Sequence, residues 1–315
     1  MKNWAHKENL EGGLLNFLSN FINELEDSGK IYFPDLRDAD KIYIFSDYSG
    51  DHRDQKLIAY SILILDEKSF KSFMISQKSL WEKYNLEKRI IDYKGLNDNF
   101  KKRSLVPFLK LSNNINGLLF SIVFDKKITS IFQDGLPEYL QNQIDIWNNK
   151  KVQEKILRLR EFIPLLLKGL CKEKQNVLWI TDNDNIVANN VQLKLLENML
   201  IEKLNTELDF KIESFNIQTL TIGYEDRYLE KICSLPDLAA GALIDFISDY
   251  KNEEINIKAG EILNPILHKK PKINPITNWL SKEEKMNLLK KVTLRITEDD
   301  NENFLVKSYR FPEFM

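Results

Sequence analysis

The stretch from Lys41 to Leu65, KIYIFSDYSGDHRDQKLIAYSILIL, decides the architecture. Lys41 to Asp47 is short, aromatic and β-branched, and Lys56 to Leu65 repeats that character after the polar turn Gly50-Asp51-His52-Arg53-Asp54. Strands joined this closely predict an antiparallel hairpin, because a parallel crossover needs about a dozen residues or more. Asp47 ends the first strand after an apolar run, and Ser49-Gly50 behind it allows close approach of backbone.

Outward from the hairpin, strands are expected at Gly117–Phe124, Val177–Thr181 and Phe210–Leu220. Residues 13–26 place Leu14, Leu18, Phe21, Ile22 and Leu25 at helical spacing. Further helices are predicted over 68–83, 97–110, 137–172 (two pieces, interrupted at Pro164) and 191–204. A last one runs from Asp237 to about Tyr250, with Pro236 at its start, where the missing N–H is not needed. The alternation implies an α/β protein with a mixed five-stranded sheet and helices on both faces. Beyond it come a connection through Pro265, Pro271 and Pro275, a helix near Lys282–Lys290, and a hairpin from Val292 to Phe311 turning at Glu298-Asp299-Asp300-Asn301. The expected organisation is an N-terminal helical extension (1–40), a central domain (41–250) and a C-terminal α+β extension (251–315).

An apolar fraction of 43% in 315 residues supplies a substantial core. Cys171 and Cys233 are far apart and lack Cys-x-x-Cys spacing, which excludes a disulfide framework or a thiolate zinc site and fits a reducing compartment. No run approaches the roughly 20 apolar residues that span a bilayer, and the first 30 residues lack a signal-peptide core, so a cytoplasmic protein is expected. Net charge is −2, so nucleic-acid binding would rest on local patches. Three candidates are Lys101-Lys102-Arg103, the run Lys150, Lys151, Lys155, Arg158, Arg160, and Lys269, Lys270 and Lys272. A protein partner or a second copy of the chain is a further possibility, through the amphipathic face of the N-terminal helix.

Several acids occupy element ends. Asp47 ends the first strand, Asp182 ends the fourth with Asp184 two residues on, and Asp237 opens the last helix of the central domain, followed one turn later by Ala240 and Gly241. Small residues there let the helix lie close to a sheet. Carboxylates from separate elements suit a hard divalent cation such as Mg²⁺ or Mn²⁺. Two such ions activate water and stabilise the leaving oxygen of a phosphodiester without a histidine or cysteine nucleophile, which suits a chain with only three His. Each acid also has a plainer reading, as a turn former or a complement to a helix dipole.

The segments Asp47-Tyr48-Ser49-Gly50 and Pro236-Asp237-Leu238-Ala239-Ala240-Gly241, in this order of elements, resemble the RNase H-like (retroviral-integrase-like) superfamily. Within it, the chain is most similar to an uncharacterised bacterial group whose first strand ends Asp-Glu-Ser-Gly. The resemblance covers about residues 41–250. It implies a metal-dependent nuclease acting on DNA or RNA, in phage defence or mobile-element biology, with Asp47, Asp182 or Asp184, and Asp237 as ligands of Mg²⁺ or Mn²⁺. Asp92 and Lys94 match the group's acidic-x-Lys segment, Asp92 as a fourth ligand or outer acid and Lys94 as a phosphate-neutralising cation. Tyr48 stands where the group carries Glu. Two alternatives remain: a catalytically silent module of this fold used for assembly or recognition, and a von Willebrand A-like adhesion domain, suggested by Asp47-x-Ser49 and Ile180-Thr181-Asp182. The latter fold places a helix after its first motif. A haloacid-dehalogenase phosphatase needs Asp-x-Asp, and Asp47-Tyr48-Ser49 fails that test.

Overall fold

β1 (Lys41–Ser49) and β2 (Leu57–Asp66) lie side by side in the sheet. Residues 50–56 alone join them, too short a link for a parallel crossover, so the hairpin is antiparallel. This excludes the adhesion-domain alternative, which requires a helix where β2 stands. The computed structural model describes residues 4, 13–52, 54–86, 89–132, 135–181, 185–220, 227–251, 269–281, 287–300 and 303–309.

The protein is α/β, with a mixed sheet of seven strands in the order β5-β4-β1-β2-β3-β6-β7. β3 (Gly117–Asp125) runs antiparallel to β2, in register from Leu57↔Asp125 to Leu65↔Gly117. β4 (Asn176–Thr181) and β5 (Ser214–Thr219) are parallel. The expected five strands thus become seven. β6 (Leu289–Glu298) pairs parallel with β3, and β7 (Phe304–Ser308) closes the edge antiparallel to β6. The residues read as a C-terminal extension supply both strands. The reason lies in β3, which is buried at all nine positions and so behaves as an interior strand with a neighbour on each side. Its polar Ser121 is satisfied by its register partner Ser61, the two hydroxyls lying 2.8 Å apart.

The chain divides into two compact units, Met1–Ile42 with Ile128–Thr221, and Tyr43–Lys127 with Ile222–Met315. In the first, α5 (Lys150–Leu170) packs on α1 (Gly13–Asp27) and on α6 (Asn190–Glu207). The expected interruption at Pro164 is absent: Pro164 lies inside α5, and the break falls at 145–149, between α4 (Glu138–Ile144) and the cap that Asn149 makes to the Lys151 amide. Burial of nearly the whole helix outweighs the local penalty of proline. The basic run of 150–160 is not a surface patch either. Lys155, Arg158 and Arg160 are buried, Arg158 bonding Glu154 at 2.8 Å and the Ile128 carbonyl at 2.8 Å. Arg160 pairs with Glu161, which also takes Lys203 at 3.0 Å. Burying the two guanidinium groups is tolerable because each has a counter-charge.

In the second unit, α2 (Glu67–Lys83) and α3 (Asn99–Ser112) start at Asp66 and Asp98, whose carboxylates accept from first-turn amides. α7 (Arg227–Lys251) packs along β2 and β3, and α8 (Ile273–Ser281) packs on α7 and α3. Asp237 therefore does not open its helix, which begins ten residues earlier at Arg227 with Pro236 in its interior. Ile232, Leu235, Leu238, Ala239 and Ala242 are all buried, and this helical period across the proline decides the outcome. The helix expected near 282–290 is displaced: α8 ends at Ser281, residues 282–286 lie outside the described residues, and Leu289 already belongs to β6. Among the described residues, no helix is long and apolar enough to cross a membrane.

Gly50 is the tightest point of the hairpin, with φ +102° and an added Cβ only 2.3 Å from the Leu57 carbonyl oxygen. Gly50→Ala is expected to destabilise the protein by at least about 1–3 kcal/mol, read as a lower urea midpoint at unchanged m.

Candidate functional site

Successive side chains of a strand point to opposite faces, so at the end of β1 Asp47 faces one way and its neighbours Ser46 and Tyr48 the other. Tyr48 is engaged on its own side, its hydroxyl 2.7 Å from Ser46 Oγ and its ring edge-on to Tyr60 at 5.6 Å. Asp47 is half-buried.

On α7, Asp237, Gly241 and Asp245 recur every fourth residue and share one face. The turn at residues 92–95 docks on that face through Tyr93. Its backbone N–H donates to Asp237 Oδ2 at 2.6 Å, and its hydroxyl donates to Asp245 Oδ2 at 2.6 Å. The ring lies against Gly241, where a Cβ would sit 2.3 Å from Tyr93 Cδ1. The small residue at 241 therefore admits the 92–95 turn. Lys272 Nζ covers the other side, 3.9 Å from the ring centroid and donating to the Tyr93 carbonyl at 3.1 Å. Lys270 pairs with Asp245 at 3.0 Å.

The Asp237 carboxyl is hydrogen-bonded to that of Asp47 and is pushed above the usual carboxylate range, chiefly by burial and further by the nearby charge of Asp92. The Tyr93 amide, the bond to Asp47 and the charge of Lys94 pull the other way without prevailing. Burial also raises the Tyr93 phenol, as does its bond to Asp245, so Tyr93 stays a neutral donor.

Of the residues predicted from sequence, Asp47 and Asp237 come together, and Asp92 and Lys94 lie near enough to act on Asp237. Asp182 and Asp184 lie outside the described residues. Asp92 is largely committed, one oxygen accepting from the Gly95 amide at 2.7 Å and the other from Lys101. It holds its turn together. Among the described residues, no group of three or more His, Cys, Asp or Glu stands in a metal-ligating arrangement. The Asp47–Asp237 pair fits a hard divalent cation by its donor set, carboxyl oxygens brought together from a strand and a helix. Tyr93 and Asp245 went unread in the sequence, and Lys101 and Lys272 were read only as members of basic patches. The one available signal was the spacing of Asp237, Gly241 and Asp245.

No protein-family model matches the chain, and no curated protein is similar to it.

The raised Asp237 has a signed consequence. A carboxyl whose folded pKa exceeds its unfolded value, about 3.9, adds stability that is complete below that value and is lost as pH rises through the folded pKa. In EDTA, Asp237→Asn should therefore melt above the wild type at neutral pH, by on the order of a few degrees, with the gap closing as pH falls below about 4. A gap independent of pH would show that the charge of Asp237 is not its source.

Proposed function

We propose that this protein is a divalent-metal-dependent nuclease that hydrolyses phosphodiester bonds of DNA or RNA. The observation that carries the reading is the hydrogen-bonded pair of Asp47, at the end of β1, and Asp237, on α7, in a setting where burial disfavours the charge of Asp237. A buried carboxyl of raised pKa beside a second acid is a common mark of a functional site. The resemblance of Asp47-Tyr48-Ser49-Gly50 and Pro236-Asp237-Leu238-Ala239-Ala240-Gly241 to the RNase H-like superfamily supports the same reading.

A bound Mg²⁺ or Mn²⁺ would supply a Lewis acid for the phosphate and lower the pKa of a coordinated water. Asp47 and Asp237 would hold it. The Tyr93 N–H fixes the rotamer of Asp237 by donating to Oδ2, and the same carboxyl meets Asp47. Lys94 is exposed on the docked turn and meets the phosphate charge of the substrate. Asp92 keeps that turn closed through Gly95 and Lys101.

Asp47→Asn should leave the fold intact, remove Mn²⁺ binding measured by titration calorimetry, and lower Mn²⁺-dependent cleavage of labelled oligonucleotides on the order of 10²-fold or more. Undiminished cleavage by the variant would overturn the assignment. Mn²⁺ binding by a wild type that cleaves neither single nor double strands would favour the silent module. Lys94→Ala should cost about tenfold in kcat/KM, or about 1.4 kcal/mol of transition-state stabilisation.

A further inference from the structure

α3 leads away from the acidic pair. Its second and third residues adjoin the 92–95 turn, where Lys101 pairs with Asp92. One face then carries Phe100, Arg103, Val106 and Lys110, at helical spacing over about 15 Å. Phe100 lies beneath two guanidinium groups, Arg89 at 4.2 Å and Arg103 at 5.1 Å from its ring centroid. Arg103, Lys102 and Lys110 are exposed, and so is Val106, an apolar residue that the fold leaves in solvent.

At its far end this face opens into a cavity of about 340 Å³, between the last turn of α3, α8 and Asn287. Four amides line it, those of Asn113, Asn114, Asn278 and Asn287, together with Trp279 and Lys110. Asn113 is tied down, its Oδ1 accepting from Trp279 Nε1 at 2.9 Å and from Lys291 at 3.3 Å. Asn278 Oδ1 is buried and accepts no hydrogen bond among the described residues. The rest of the Asn278 side chain lines the cavity, which is large enough for a small planar group.

We infer that an unpaired nucleic-acid strand runs along this face of α3, its phosphates on Arg103, Lys102 and Lys110 and one of its bases seated in the amide-lined cavity. Guanidinium groups stacked on an aromatic ring beside exposed lysines suit a phosphate backbone with unstacked bases. Side-chain amides offer a donor and an acceptor together, which is what a base edge requires. A paired strand keeps its bases in the stack and out of a cavity, so the surface selects single strands. An acidic protein could meet the cations but would leave the amides unused. The proposal rests on the nuclease reading for its direction, since the bound strand would lead toward Asp47 and Asp237.

The test measures binding of fluorescent single-stranded and duplex oligonucleotides to the full chain in EDTA, where no cleavage intervenes. Single strands should bind more tightly than duplex. Arg103→Ala with Lys110→Ala should weaken single-strand binding by about tenfold or more for every sequence, and should reduce the slope of log K against log salt by about 1–2. Asn278→Ala should keep that slope but flatten the preference among homopolymers. Equal affinity for duplex and single strand, or binding indifferent to the paired charge removals, would overturn the inference. Base preference unchanged by Asn278→Ala would remove the cavity from it. Hydrolysis of bis(p-nitrophenyl) phosphate with Mn²⁺ reports on the acidic site alone and should survive the α3 substitutions. Its absence from the wild type would count against the nuclease reading while leaving the strand-binding result to stand or fall by itself.

Discussion

The contact between the Tyr93 ring and Gly241 is the constraint from which the rest of the site follows. Any Cβ at position 241 would lie within 2.3–2.9 Å of Tyr93 atoms, so only glycine lets the turn come this close to α7. Once the ring is seated, the helix acts as a ruler. One turn before Gly241 stands Asp237, which takes the Tyr93 amide, and one turn after stands Asp245, which takes the phenol. A backbone donor and a side-chain donor of a single residue are thus matched to two acids eight residues apart. Lys272 closes the remaining face of the ring. Asp92 and Lys94 flank Tyr93 in the chain, so docking the tyrosine delivers both to the neighbourhood of Asp237.

The same arrangement sorts the acids by how their charge is met. Asp92 has Lys101, and Asp245 has Lys270. Asp237 instead receives a peptide N–H and the carboxyl of Asp47, and neither carries a full positive charge. Lys94 lies near enough to help, but it stays exposed, where solvent weakens its hold.

How much of this was legible in the sequence divides by the range of the interaction. The hairpin of 41–65 was readable because alternation and a short polar turn are local. The acidic strand end at Asp47 was readable for the same reason. Pro164 and Pro236 misled because a proline signals helix ends locally, whereas burial on both sides of it is a tertiary fact. The Val292–Phe311 hairpin was seen, but its place beside β3 was not, since nothing in a strand's own residues names its partner. The docking of Tyr93 on Gly241 lay deeper still: it joins residues 148 positions apart, and its only local trace is the four-residue spacing along α7. The basic run at 150–160 shows the converse, because a charge pattern that suggests a solvated face is consumed by pairing inside the first unit.

Tyr48 stands beside Asp47 in the chain but not beside it in space. Strand periodicity places position 48 on the face opposite Asp47, so a carboxylate there would not stand beside the Asp47–Asp237 pair in the first place. On that face the phenol meets Ser46, and the ring packs edge-on against Tyr60, which in turn meets Phe124 at 5.9 Å. A glutamate at 48 would bring a charge among these rings and lose the aromatic contact. The exchange reads as a local adjustment of one sheet face that leaves the other intact. Tyr48 is thus anchored on the face away from Asp47.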